Sequence, residues 1–262
     1  MSAILLERDL VHFEVLGRGR PILFLHGWVG SWRYWIPTMQ SVSVSFRAYA
    51  IDLWGFGDGA KNPQRYSLNQ QVALLSSFLD QMGIGRVALV GHGLGAVVAA
   101  LFAQRYPEVV DRVMATAMPL DAAMVDPRLH TDEPEALADW LLGRSPATET
   151  ARADAPKADP QAIKTSLDDL QIINIGQTMA RLSTACLLVH GLNDPAVTLP
   201  AQERIGSLPY PTHEIVFDQS GHFPMLDEAS KYNRLLADFL ALLQGESPRE
   251  LLLKEEWKRR VR

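Results

Sequence analysis

The chain has 262 residues, 47% of them hydrophobic and 21% charged, which excludes a disordered chain and suits one domain with a substantial core and room for an insertion. A formal net charge of −5 gives no support to a nucleic-acid partner, and the single cysteine, Cys186, excludes an internal disulfide and a cysteine-based zinc site. No apolar run reaches membrane-spanning length, and the start "MSAILLERDLVHFEV" breaks into charge at Glu7 and Arg8, so a soluble cytoplasmic protein without a signal peptide is expected.

In chain order, "AILLER" and "VHFEVLG" predict an antiparallel hairpin at a sheet edge. Short apolar runs then predict strands over 21–27, 46–52, 86–93, 110–118, 185–191 and 213–219. Most contain few polar residues, as strands covered on both faces of a parallel sheet do. Cys186 falls in one of them and reads as a small core hydrophobe. Amphipathic helices are predicted over Leu68–Met82, Leu94–Tyr106 and Glu228–Leu243, with Ser67 and Asp227 as N-caps of the first and last. This alternation gives an α/β class with a mostly parallel central sheet flanked by helices.

The rhythm breaks over 119–182. "DEPEALADWLLGR" and "DPQAIKTSLDDLQIINI" predict helices, and "SPATETARADAPKADP" between them reads as a loop. This region is expected to be a helical insertion over a core made of 1–118 and 183–246. The tail 247–262, with six basic and three acidic residues, reads as a surface helix with Leu253 and Trp257 on one side, docked on its own domain.

Ligands of parallel α/β sheets bind at the carboxyl ends of the strands, so the residues that follow each strand carry the functional signal. They are His26-Gly27-Trp28, Asp52-Leu53-Trp54-Gly55-Phe56-Gly57, the turn Gly91-His92-Gly93-Leu94-Gly95, His190-Gly191-Leu192-Asn193-Asp194-Pro195, and Ser220-Gly221-His222-Phe223-Pro224. Taken singly, each has a plain structural explanation. Asp194 before Pro195 could start a turn, His222 could be a hydrogen-bonded loop histidine, and His26 is expected to be structural.

Together and in this order, the five motifs resemble the α/β-hydrolase fold, in the branch of small esterases and related enzymes with a helical cap. The resemblance spans nearly the whole chain. It implies a triad in the order nucleophile, acid, histidine, which by position means residue 93, Asp194 and His222. It also implies an oxyanion hole from the backbone N–H groups of Trp28 and Leu94. His92, Met118, Trp140 and Phe223 are candidates for an apolar substrate pocket, with Trp28 on its wall and Met124 and Met225 as further ones, and Asp121 is an alternative acid. No cofactor and no metal are expected, and the implied partner is a small, apolar, ester-like molecule.

The departure from the family pattern is at residue 93, a glycine where the family carries serine, aspartate or cysteine. Gly59 likewise stands where serine is common. Glycine supplies no nucleophile, yet it relieves the strain that the nucleophile turn places on its central residue. Four readings follow: an inactivated serine esterase, an enzyme using His222 as a base without covalent catalysis, a binding protein, or a dinucleotide site at Gly91-His92-Gly93-Leu94-Gly95-Ala96. The last matches G-x-G-x-x-[GA], but two parallel strands precede it and the next strand ends in Ala117-Met118-Pro119 rather than an acid.

Overall fold

The computed structural model describes residues 2–243 and 245–251. Its strands are β1 (Ser2–Leu6), β2 (Asp9–Gly17), β3 (Arg20–Leu25), β4 (Phe46–Ile51), β5 (Val87–His92), β6 (Val110–Thr116), β7 (Ala185–Gly191) and β8 (Thr212–Phe217). They form one sheet in the order β1-β2-β4-β3-β5-β6-β7-β8. The pairs β1–β2 and β2–β4 are antiparallel and every other pair is parallel. The expected edge hairpin and mostly parallel sheet are therefore both present.

The helices are α1 (Ile36–Val42), α2 (Leu68–Gln81), α3 (Leu94–Arg105), α4 (Arg128–Thr131), α5 (Pro134–Leu141), α6 (Glu149–Asp154), α7 (Pro160–Ile172), α8 (Ile175–Ala180), α9 (Gln202–Gly206), α10 (Pro224–Asp227) and α11 (Ala229–Ala241). Three of them show how the sequence sets a helix. In α11 the buried residues Tyr232, Leu235, Leu236, Phe239 and Leu240 recur at helical spacing, so one face meets the sheet. Helix α2 starts where Ser67 accepts a hydrogen bond from Gln70 N–H. Helix α3 is apolar almost all round because it is buried against β5 and β6, with α2 and α8 beside it.

The glycines of the β5–α3 turn are there for close approach. A Cβ on Gly91 would sit 2.4 Å from the Gly95 carbonyl oxygen, and one on Gly95 would sit 2.4 Å from that of Leu25. Only glycine lets the helix start this near β3 and β5.

Two expectations are corrected. The stretch 145–160 is not a plain loop: α6 and a 3-10 turn at Ala155–Lys157 occupy it. Asp227 does not cap the last helix. It ends the short α10, and its carboxylate accepts Gly221 N–H at 2.9 Å, leaving Glu228 at the cap position with no side-chain capping bond. The expected faces of Leu253 and Trp257 lie outside the described residues. Cys186 is fully buried in β7, and burial pushes its thiol up to about 12.

Between β6 and β7 the chain runs through α4 to α8, and this segment is fastened to the loops after β3 and β4 by polar contacts. Trp28 Nε1–H donates to Ser166 Oγ of α7 at 3.0 Å. Ser31 Oγ–H donates to Asp154 of α6 at 2.5 Å. Asp159 N–H donates to the Gly55 carbonyl at 2.8 Å, and Leu68 N–H donates to Asp169 at 2.7 Å.

Candidate active site

Gly93 links the end of β5 to the start of α3 with φ +49° and ψ −111°. Positive φ at this position is a conformation that costs a non-glycine residue about 1–3 kcal/mol. Asp194 lies in the turn after β7 and His222 in the loop after β8, so both reach the same edge of the sheet as Gly93. The two loops come close because Gly191 has no side chain: a Cβ there would lie 2.0 Å from the Gly221 carbonyl oxygen.

His222 Nδ1 is 2.8 Å from Asp194 Oδ2, and both side chains are almost wholly buried. A carboxylate accepts, so Nδ1 carries the proton and Nε2 presents a lone pair. The other oxygen of Asp194 accepts the N–H groups of Ala196 at 2.8 Å and Val197 at 3.1 Å. Burial alone would raise the Asp194 carboxyl. The facing imidazole and these N–H bonds outweigh it and hold the group below the ordinary carboxylate range.

The Trp28 and Leu94 N–H groups, the candidate oxyanion donors, make no hydrogen bond to another described residue. Around them the turn is saturated: Gly93 N–H donates to Thr116, Gly95 N–H to His26, and the Ala96 and Val97 N–H groups to Gly93. A pyrophosphate cradle needs several open N–H groups, and this turn offers that of Leu94. The dinucleotide reading has no physical support here.

The Trp28 side chain, expected on the pocket wall, lies against residue 93. A Cβ at residue 93 would lie 3.1 Å from both Cε3 and Cζ3 of the indole. Trp28 is completely buried, and its indole is the side chain that a Cβ at residue 93 would meet first.

The other predicted residues are distributed as follows. His92 is fully buried, with Nδ1 2.9 Å from Tyr34 Oη and Nε2 2.9 Å from the His222 carbonyl oxygen. Burial holds it well below the ordinary histidine range, so its ring is neutral. The Phe223 ring packs against His92 at 4.6 Å and Tyr34 at 5.6 Å. Met118 is buried, and its carbonyl lies 3.3 Å from His190 Nε2. Trp140 is half-buried on α5, with the Arg128 guanidinium 4.3 Å from its ring. Asp121 pairs with Arg204 rather than His222, which leaves Asp194 as the acid on the imidazole.

His26 is structural, as expected. Its Nδ1–H donates to the Gly27 carbonyl at 2.8 Å and its Nε2 accepts Leu53 N–H at 3.0 Å, while burial lowers it to about 4. Asp52 is also buried, and burial pushes its carboxyl up to about 7 although it accepts the Trp32 and Asp58 N–H groups. Tyr34 and Ser166 were missed by sequence reasoning. Tyr34 sits in an aromatic cluster that reads as packing, and Ser166 is one serine on an amphipathic helix. Their partners are 58 and 138 residues away, so no local pattern marks them.

A cleft of about 320 Å³ opens between the 122–131 segment and α7, lined by Val125, Pro127, His130, Leu167 and Leu170. Gly93, Asp194 and His222 do not line it. Among the described residues no cluster of three or more ligating side chains could hold a metal ion, and no helix is long and apolar enough to cross a membrane.

The fold agrees with comparison to known proteins. The sequence profile of the alpha/beta hydrolase family matches residues 22–235, and the chain belongs to that family. It is 23% identical to a pimeloyl-[acyl-carrier protein] methyl ester esterase of Vibrio campbellii, over 88% of this chain and 98% of that protein. It is 26% identical to a 2-hydroxy-6-oxo-2,4-heptadienoate hydrolase of Pseudomonas putida, over 86% of this chain and 91% of that protein. The enol-lactonase from Burkholderia xenovorans LB400 has the same fold, with a TM-score of 0.80 at 18% identity, covering 92% of this chain and all of that one.

Proposed function

We propose that this is an esterase-like site that works without a covalent nucleophile on a small, apolar, ester-like substrate. The observation that carries the reading is the buried His222–Asp194 pair at 2.8 Å beside a residue 93 that has no side chain. The imidazole is held in the tautomer that leaves Nε2 free to take a proton. A water beside Nε2 attacks the substrate carbonyl carbon and gives its proton to His222. The Trp28 and Leu94 N–H groups hold the resulting oxyanion. The intermediate then collapses, His222 returns the proton to the leaving alkoxide, and acid and alcohol depart. The helices between β6 and β7 act as a cap, and substrate entry displaces the Trp28 indole from Gly93.

Loss of a serine nucleophile costs roughly 10⁶-fold in turnover and leaves ~10³–10⁴ over water from binding and the oxyanion hole. A general base contributes roughly 10²–10⁴-fold, so the expected activity is slow but measurable. The test is hydrolysis of short-chain aryl esters by the parent and by His222→Ala, with a fluorophosphonate probe alongside. Slow turnover that His222→Ala abolishes, with no label on the protein, supports the reading. Label on a residue beside Gly93 overturns it.

A second reading, a ligand-binding protein, is favoured by one observation: the Trp28 indole closes the slot over Gly93 and is tied to Ser166. Turnover that is absent in the parent, together with saturable binding of a neutral apolar ester, would support that reading instead.

A further inference from the structure

His222 is gripped from two sides, and the second grip is not part of the acid–base pair. His92 Nε2 lies 2.9 Å from the His222 carbonyl oxygen, His92 Nδ1 lies 2.9 Å from Tyr34 Oη, and Tyr34 Oη accepts Gly27 N–H at 2.7 Å. The directions of these bonds are forced. A carbonyl only accepts, so Nε2 of His92 carries the hydrogen. With the ring neutral, Nδ1 is then the acceptor. The Tyr34 hydroxyl must donate to it, and its lone pair receives Gly27 N–H. Every group in the series is used once, and none can reverse without stranding a buried donor.

We propose that Tyr34 and His92 form a positioning relay that fixes the His222 base relative to the loop carrying the oxyanion donor Trp28. The relay joins three separate elements at the site. Gly27 precedes Trp28 in the loop after β3, His92 is the last residue of β5 and precedes Gly93, and His222 lies in the loop after β8. The members are wholly buried or nearly so: Tyr34 is 2% exposed, His92 0% and His222 2%. Gly27 makes room for it, since a Cβ there would lie 2.7 Å from His92 Nδ1. The imidazole rings of His92 and His222 are 4.7 Å apart, and Phe223 packs against both and against Tyr34. Asp194 therefore sets the tautomer of His222 and its rotation, while His92 sets where its backbone stands.

This inference rests on His222 being the base, and its test is chosen to read the relay without turnover. The measurement is solvent exchange of the His222 Nδ1–H proton, followed by NMR in the free protein with ¹⁵N-labelled histidine and assigned by its loss in Asp194→Asn. In His92→Leu and in Tyr34→Phe the backbone anchor is lost or loosened, and exchange should quicken by about tenfold or more. In His92→Gln the side-chain amide can donate to the His222 carbonyl and accept from Tyr34, so exchange should stay within about threefold of the parent. Tyr34→Phe deletes one oxygen and keeps the ring, so it reads the relay even if His92→Leu does not fold. Unchanged exchange in folded Tyr34→Phe overturns the relay, as does an equal acceleration in His92→Gln. Absent ester hydrolysis with this pattern intact would count against the proposed chemistry alone. Unchanged exchange with turnover that still depends on His222 would count against the relay alone.

Discussion

Placing a serine at residue 93 is the perturbation on which the site can be judged most sharply. Gly93→Ser must adopt φ +49° and ψ −111°, a backbone cost of about 1–3 kcal/mol. Its Cβ would also lie 3.1 Å from Cε3 and Cζ3 of Trp28, where carbon atoms prefer ~3.5–4.0 Å. The indole would have to retreat by a few tenths of an ångström. It is fully buried and tethered through Nε1 to Ser166 at 3.0 Å, so this is overpacking, which costs about 1–3 kcal/mol. The total destabilisation is about 2–6 kcal/mol.

In a Trp28→Ala background the contact vanishes and only the backbone cost remains. Urea unfolding of the parent, the two single variants and the double variant should therefore give a coupling energy of about 1–3 kcal/mol between residues 93 and 28. Aryl-ester assays on the same four proteins should follow it. Gly93→Ser alone should gain little, because its hydroxyl is pressed under the indole, whereas the double variant should gain burst kinetics and fluorophosphonate labelling. A coupling below about 0.5 kcal/mol, with strong labelling of Gly93→Ser alone, would show that the indole does not hold the slot.

Other outcomes follow from the same geometry. Asp194→Ala strands three buried donors, the N–H groups of Ala196, Val197 and the His222 ring, and should cost about 3 kcal/mol or more in urea unfolding. Asp194→Asn keeps one acceptor oxygen for the two backbone N–H groups, so it should lose less stability than the alanine variant while losing the productive tautomer. Ser166→Ala leaves the buried Trp28 indole N–H without a partner and should cost about 1–3 kcal/mol, with faster quenching of tryptophan fluorescence by acrylamide. His26 is held neutral, lowered from 6.5 to about 4, so an unfolded chain takes up its proton first as pH falls. Its contribution to stability is complete above about pH 6.5 and is lost toward pH 4, a loss of about 2–3 kcal/mol at pH 4.5. The parent should lose about that much more stability than His26→Gln between pH 7.5 and 4.5, and equal losses would contradict the assignment.

Much of this fold is legible in the sequence because strand burial and helix periodicity are local signals. The runs at Pro21–Gly27 and Arg86–Gly93 contain almost nothing but apolar residues, and β3 and β5 lie within a residue or two of their bounds. Where the reading failed, a competing partner was invisible. Asp227 has the chemistry of an N-cap, yet its carboxylate is taken by Gly221 N–H. The stretch around Thr148–Asp154 looks like loop between serine and prolines, yet a short helix forms where Asp154 meets Ser31, Arg33 and Lys157. The residues of the candidate site were found because each ends or follows a strand. Their neighbours Tyr34 and Ser166 were not, because a hydroxyl that bonds across the fold leaves no period behind. The missing side chain at 93 was plain from the start. That the Trp28 indole lies against this place depends on a rotamer, which no sequence pattern encodes.

The charge of the site limits what it can hold. Asp194 is kept ionised by its N–H donors and its imidazole, so with His222 uncharged the pair carries a full negative charge in a buried setting. An anionic ligand placed against Nε2 would meet that charge with little solvent to screen it. A neutral carbonyl would not, and the Trp28 and Leu94 N–H groups offer it two donors. Proton transfer to His222 turns the pair into an ion pair of opposite charges and leaves the negative charge on the substrate, where those donors sit. On the proposed chemistry the arrangement favours the state in which a neutral ester has become an oxyanion over the state in which it has merely bound. In that proposal the preference belongs to a base rather than to a binding pocket, and none of the groups that produce it belongs to residue 93.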